Sequence, residues 1–184
     1  MQLTFDDGPD PTWTPRVLEA LAEIERAATF YVIGERARRH PEVIGAIAAA
    51  GHAVQLHCHE HVRHTHTDRT FVERDCDRAL AVLGGLGVTP THWRTPWGIR
   101  APWTEEVAAA RGLELVGWSV DTHDWRGDAA TAMVARIGPG LDAGSVVLMH
   151  DGLGPGATRS GCAETVALVR LLGDAPRAGT SPAP

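Results

Sequence analysis

The chain has 184 residues and a formal net charge of −6, enough for one domain with a substantial core and too acidic for a nucleic-acid footprint. No window approaches a membrane span, and no basic segment leads into an apolar run at the N-terminus, so a signal peptide is not expected in this chain. Three cysteines, Cys58, Cys76 and Cys162, are too few and too scattered for a disulfide framework or a cysteine-based zinc site.

Short apolar runs alternate with longer helical ones. Leu3 to Phe5 reads as a clipped strand, and Thr14 to Arg26 has Val17, Leu18, Leu21 and Ile24 at helical spacing. Ala28 to Ile33 reads as a strand, and Pro41 to Ala50 as a helix with Pro in its first turn and Gly51 past its end. Ala53 to Leu56 is a strand running into a histidine-rich loop. Asp68 to Leu86 is a long helix, His92 to Thr95 a strand, and Pro102 to Arg111 a helix closed by Gly112. A strand over Leu115 to Val120, a helix over Ala129 to Ile137, a strand over Ser145 to Met149 and a helix over Cys162 to Leu172 complete the order. This alternation predicts an α/β architecture with largely parallel strands. Residues 1–173 form the expected domain, and 174–184, all small or polar residues and proline without apolar period, a disordered tail.

Reactive residues gather where strands finish. Asp6 and Asp7 follow the first, His57 and His61 the third, Arg94 closes the fourth, Asp121 and Asp124 follow the fifth, and His150 and Asp151 the last. In a β/α barrel the carboxyl ends of the strands form the active-site face. Adjacent carboxylates repel and need a metal or cation nearby. Ten histidines in the chain invite a metal or acid–base reading, although His40, His52 and His92 taken singly read as exposed. Histidines at 57 and 61 are spaced to share a metal from one face of a helical turn, with a carboxylate from another strand end. His64 and His66 read as solvent-facing loop residues. Arg94 offers a fork for a carboxylate, or is a surface residue with Trp97 in the core. Trp13, Trp93 and Trp103 read as core or rim packing, with Trp97 and Trp103 the foremost candidates for substrate contact. Gly152 to Gly156 lacks the Lys-Ser/Thr ending of a phosphate loop and reads as a flexible active-site loop.

Taken together, TFDDGP (4–9), HCHEH (57–61), RTPW (94–97), DTHDW (121–125) and LMHD (148–151) resemble the five ordered motifs of the polysaccharide deacetylase family, the NodB-homology or family 4 carbohydrate esterases. The resemblance implies a distorted (β/α) barrel with fewer than eight repeats. It implies one divalent metal, zinc foremost with cobalt, nickel or manganese as substitutes, on Asp7, His57 and His61. Asp6 matches the general base, Arg94 the residue holding it as a carboxylate, and His150 the general acid with Asp124 as partner. The backbone N–H of Trp97 matches an oxyanion donor, and Trp125 and Leu148 match walls around the acetyl methyl group. The implied activity is removal of an N-linked acetyl group from an amino-sugar. Related branches act instead on small amides, formamides or cyclic imides, and degenerate ones are inactive carbohydrate-binding modules. Cys58 stands where the family usually has Ser or Thr, whose hydroxyl commonly helps hold the motif loop. It reads as a small buried filler, and His59 beside it has no assigned role. The missing leader favours the cytoplasm. Family precedent favours secretion if sequence upstream is absent.

Overall fold

A computed structural model of the chain describes residues 1–173 and Ala175; the expected tail from 174 falls, apart from Ala175, outside the described residues. Seven strands form one sheet: β1 (Gln2–Asp6), β2 (Ala28–Ile33), β3 (Ala53–Cys58), β4 (His92–Trp93), β5 (Glu114–Leu115), β6 (Val120–Asp121) and β7 (Val146–His150). Their order is β5-β4-β3-β2-β1-β7-β6, and every pairing is parallel. The helices are α1 (Trp13–Glu23), α2 (Gly34–Arg39), α3 (Pro41–Ala49), α4 (Arg69–Gly85), α5 (Thr104–Ala109), α6 (Ala130–Ile137) and α7 (Ala163–Leu171). No helix among the described residues is long and apolar enough to cross a membrane.

The strand expected over Leu115 to Val120 is instead two dipeptide strands on opposite edges of the sheet. The N–H of Val116 donates to Trp93 on one edge, and that of Ser119 to Val146 on the other. One segment therefore stitches both edges, and the sheet curls into the distorted (β/α) barrel that the sequence led us to expect. Gly117 and Trp118 occupy the break between the two strands. The Gly117 carbonyl accepts from Arg94 Nη2 at 2.8 Å, which draws the chain away from regular pairing.

Helix α2 escaped the sequence reading because GERARR carries no apolar period; only Gly34 and Ala37 of it are buried. Glu35 pairs with Arg38 and Arg39 at i,i+3 and i,i+4 on its outer face. Helix α1 starts where Asp10 Oδ1 accepts the N–H groups of Thr12 and Trp13. Strand alternation then sorts the interior. Leu3 and Phe5 of β1 face the helices, where Phe5 stacks on Phe30 at 5.0 Å, while Thr4 and Asp6 face the barrel axis.

Candidate active site

The site begins with β1. Thr4 and Asp6 share a face, and Arg94 Nη1 donates to both, to Thr4 Oγ1 at 2.8 Å and Asp6 Oδ1 at 2.9 Å. Arg94 is wholly buried, with its guanidinium 4.1 Å above the Tyr31 ring. A continued strand would send Asp7 to the opposite face. Instead Asp7 adopts a left-handed backbone with φ 70°, which turns its carboxylate into the same space as the histidines. Arg36 of α2 fixes that turn, donating to the Asp7 carbonyl at 2.6 Å and to the Leu153 carbonyl at 2.7 Å.

His57 lies in β3 and His61 in the loop beyond it, not on a helical turn as the spacing suggested. The chain bends because Asp75 of α4 accepts the N–H groups of His59 and Glu60, both at 2.7 Å. Cys58 is buried as a filler, and burial pushes its thiol well above the usual range. His59 is buried against Gly34, with its Nε2 3.8 Å from Glu35.

His57 Nε2 and His61 Nε2 lie 3.4 and 3.1 Å from Asp7 Oδ1. His57 Nδ1 is hydrogen-bonded to the Arg94 carbonyl at 2.6 Å, which turns Nε2 inward and leaves it to act as a ligand. Asp7 Oδ1 is buried without a hydrogen-bond partner. One ligand atom from each of Asp7, His57 and His61 lies within 4.8 Å of the others. An orphaned carboxylate oxygen facing two imidazole nitrogens fits a divalent cation, and two histidines with one carboxylate suit a catalytic site with open positions. Burial on its own raises the Asp7 pKa, yet the imidazoles of His57 and His61 win and hold it well below the usual carboxylate range.

The β1–β7 register pairs Asp6 with His150, so the two stand side by side at adjacent strand ends. His150 Nδ1 meets Asp124 Oδ1 at 2.7 Å, and the His150 N–H donates to Asp124 Oδ2 at 2.9 Å. Burial opposes the imidazolium, but the Asp124 charge and hydrogen bond outweigh it and raise the His150 pKa to about 9. Burial likewise opposes the Asp124 carboxylate, and His150, Arg159 and Thr165 bring it down to about 2. Arg159 Nη1 donates to Asp124 Oδ2 at 2.9 Å, and its Nη2 to the carbonyls of His150 and Gly152 at 2.9 and 3.2 Å. Thr165 Oγ1 adds a bond to Asp124 Oδ2 at 2.7 Å. Sequence reasoning missed Arg159, Thr165, Arg36 and Asp75. None lies in a strand-end motif, and each contacts residues distant in the chain.

A cavity of ≈ 400 Å³ opens over this cluster. Asp6, Asp7, His57, His61, Trp97, Trp125, Leu148 and His150 line it, together with Arg63, Trp118, Asp121 and the glycine-rich segment after β7. Arg94 and Asp124 stand behind as buried supports. Trp97 has a left-handed backbone, φ 55°, and its ring meets His61 edge-on at 4.2 Å. Trp103 is not part of the wall: it stacks on His64. His64, expected in solvent, is buried with its Nδ1 3.1 Å from Thr104 Oγ1, and burial lowers its pKa to about 4.

A family model described as polysaccharide deacetylase matches residues 1–116. Over 159 residues the chain is 39% identical to a chitooligosaccharide deacetylase of Sinorhizobium fredii, covering 83% of this chain and 72% of that one. A peptidoglycan-N-acetylglucosamine deacetylase of Bacillus cereus is 32% identical over 149 residues, 80% of this chain and 54% of its own length. Among solved structures, a family 4 carbohydrate esterase from Streptomyces lividans in complex with acetate superposes with a TM-score of 0.84 at 30% identity, covering 94% of this chain and 85% of that one. With the barrel, the strand-end cluster and these matches together, the chain belongs to the polysaccharide deacetylase family of hydrolases.

Proposed function

We propose that the protein removes the N-acetyl group from an amino-sugar residue of an oligo- or polysaccharide, with Asp6 as general base and His150 as general acid. The observation that carries this reading is the juxtaposition of Asp6 and His150 in register beside the Asp7, His57 and His61 cluster. Relatives named as chitooligosaccharide and peptidoglycan deacetylases support the substrate class.

Asp7, His57 and His61 would hold a divalent cation, zinc by the ligand set, which would supply Lewis acidity toward the amide carbonyl and toward water near neutral pH. Asp6 takes the proton of the attacking water through Oδ2, because Arg94 occupies Oδ1. Arg94 also fixes the Asp6 rotamer and offsets the neighbouring Asp7 charge. The Trp97 N–H donates to the developing oxyanion, a contribution of about 3–4 kcal/mol where such donors have been removed elsewhere. An amine leaves poorly as an anion, so His150 delivers a proton to the nitrogen from Nε2 while Asp124 holds Nδ1. Trp125 and Leu148 exclude water around the acetyl methyl group.

Zinc-loaded protein is expected to release acetate from N-acetylglucosamine oligomers. Asp6→Asn is expected to lower kcat by roughly 100-fold or more. Zinc-loaded protein that frees no acetate from any N-acetylated amino-sugar would overturn the reading, as would an Asp6→Asn variant of undiminished rate.

A further inference from the structure

Arg63 follows the His61 loop and lines the cavity. Its guanidinium lies 4.5 Å from the Trp97 ring centroid, and Trp97 in turn touches His61 at 4.2 Å. The charge thus stands one indole away from the metal-ligand cluster. Arg126 stacks on Trp125 at 5.0 Å but does not line the cavity, and three further arginines around the site are committed. Arg94 is bonded to Asp6 at 2.9 Å, Arg36 to two carbonyls, and Arg159 to Asp124 at 2.9 Å. Among the described residues, Arg63 has no carboxylate within ion-pairing distance, and its contact is the indole face.

A guanidinium stacked on an aromatic ring keeps its N–H edge free, and that planar fork matches a carboxylate with two parallel hydrogen bonds. Stacking also restricts the side chain beforehand, which reduces the entropy lost on binding. The opposite sign is provided by Asp121, whose Oδ1 accepts the His123 N–H at 2.8 Å and which also lines the cavity. Asp121, like Asp6 and Asp7 in the same lining, repels an anion, so the Arg63 side is where the cavity can hold a carboxylate.

We propose that Arg63 is a specificity residue that binds a carboxylate carried by the sugar next to the one being deacetylated. This inference rests on the amino-sugar reading above and narrows it to acidic glycans, such as strands in which every second amino-sugar bears an ether-linked lactate. A neutral N-acetylglucosamine oligomer lacks the group that Arg63 reads.

The test uses zinc-loaded protein and one tetrasaccharide in two forms, with its lactyl carboxylates free or converted to amides. Wild type is expected to favour the free acid in kcat/KM by about fivefold, the upper end for a partly exposed ion pair, mainly through KM. The preference is expected to shrink as salt rises. In Arg63→Gln the ratio is expected to fall to about one, and in Arg63→Glu to reverse. Calorimetric binding of both forms carries the same comparison without turnover. A ratio near one in wild type, or a preference that survives Arg63→Gln, overturns the inference. Preferential, Arg63-dependent binding without acetate release keeps it and overturns the deacetylase reading instead.

Discussion

At the residue scale, the adjacent carboxylates Asp6 and Asp7 take different partners because one backbone torsion changes sign between them. Asp7, Trp97 and His123, three of the four non-glycine residues with positive φ among those described, lie in or beside the cavity wall. Each such conformation costs about 1–3 kcal/mol and persists only where its surroundings fix it. For Asp7 that fixing comes from Arg36 at 2.6 Å. The acid side of the site is set by charge. His150 has a folded pKa of about 9, above its ordinary value of ~6.5. Its pairing with Asp124 therefore contributes stability that is whole below about 6.5 and is lost as pH rises through about 9. The proposed acid must be protonated, so kcat is expected to fall on the alkaline side. A cation on Asp7 opposes the imidazolium and brings that limb below 9. Asp124→Asn removes the main cause of the raised pKa, and the alkaline limb of the kcat–pH profile is expected to move down by about one unit or more. An unmoved limb would show that His150 is not the group titrating.

At the element scale, the strand-end motifs were legible in the sequence because each is local. TFDDGP announces a strand, a turn and two carboxylates within six residues. What holds the motifs was not legible. The spacing of His57 and His61 suggested a helical turn, yet the bend is made by Asp75, which in sequence looks like any acid on a long helix. The buried Asp75 carboxylate receives two backbone N–H groups of the loop, beside a Cys58 thiol that is only a weak donor. Helix α2 was invisible for want of apolar period, and with it Arg36. Asp75→Asn replaces one acceptor with a donor facing a donor. It is expected to weaken zinc binding about 10–100-fold, as other changes behind metal ligands do. Asp75→Glu is expected to recover part of the loss. Titration calorimetry with zinc, alongside circular dichroism to verify the fold, checks this; unchanged affinity in a folded Asp75→Asn protein would rule out the positioning role. Gly154 poses a related constraint. A Cβ there would collide with Asp7 Oδ2, so Gly154→Ala is expected to reduce zinc affinity without touching any ligand, measurable in the same titration.

At the scale of the whole molecule, the candidate metal centre ties together parts of the barrel that no single strand pairing joins. Asp7 follows β1, while His57 and His61 belong to β3 and its loop, with β2 lying between. Arg94 adds a second tie from the end of β4 to Thr4 and Asp6 on β1. The two edges of the curled sheet are the short strands β5 and β6, two residues each and not paired with one another, so ties across its carboxyl end bear on the stability of the entire fold. Zinc that binds the folded chain and not the unfolded one stabilises by mass action, about 2.7 kcal/mol at a hundredfold excess over Kd. For a domain of this size that corresponds to a rise in Tm of roughly 5–10 °C. The rise is expected to grow with the logarithm of free zinc and to vanish in Asp7→Asn. Asp6→Asn, outside the ligand set, is expected to keep it while losing activity. Thermal unfolding of the three proteins across a zinc series separates ligand from base without any substrate. If Asp7→Asn kept the full zinc-dependent rise, the cation would have to be held elsewhere, and the division of labour between the two aspartates would fail.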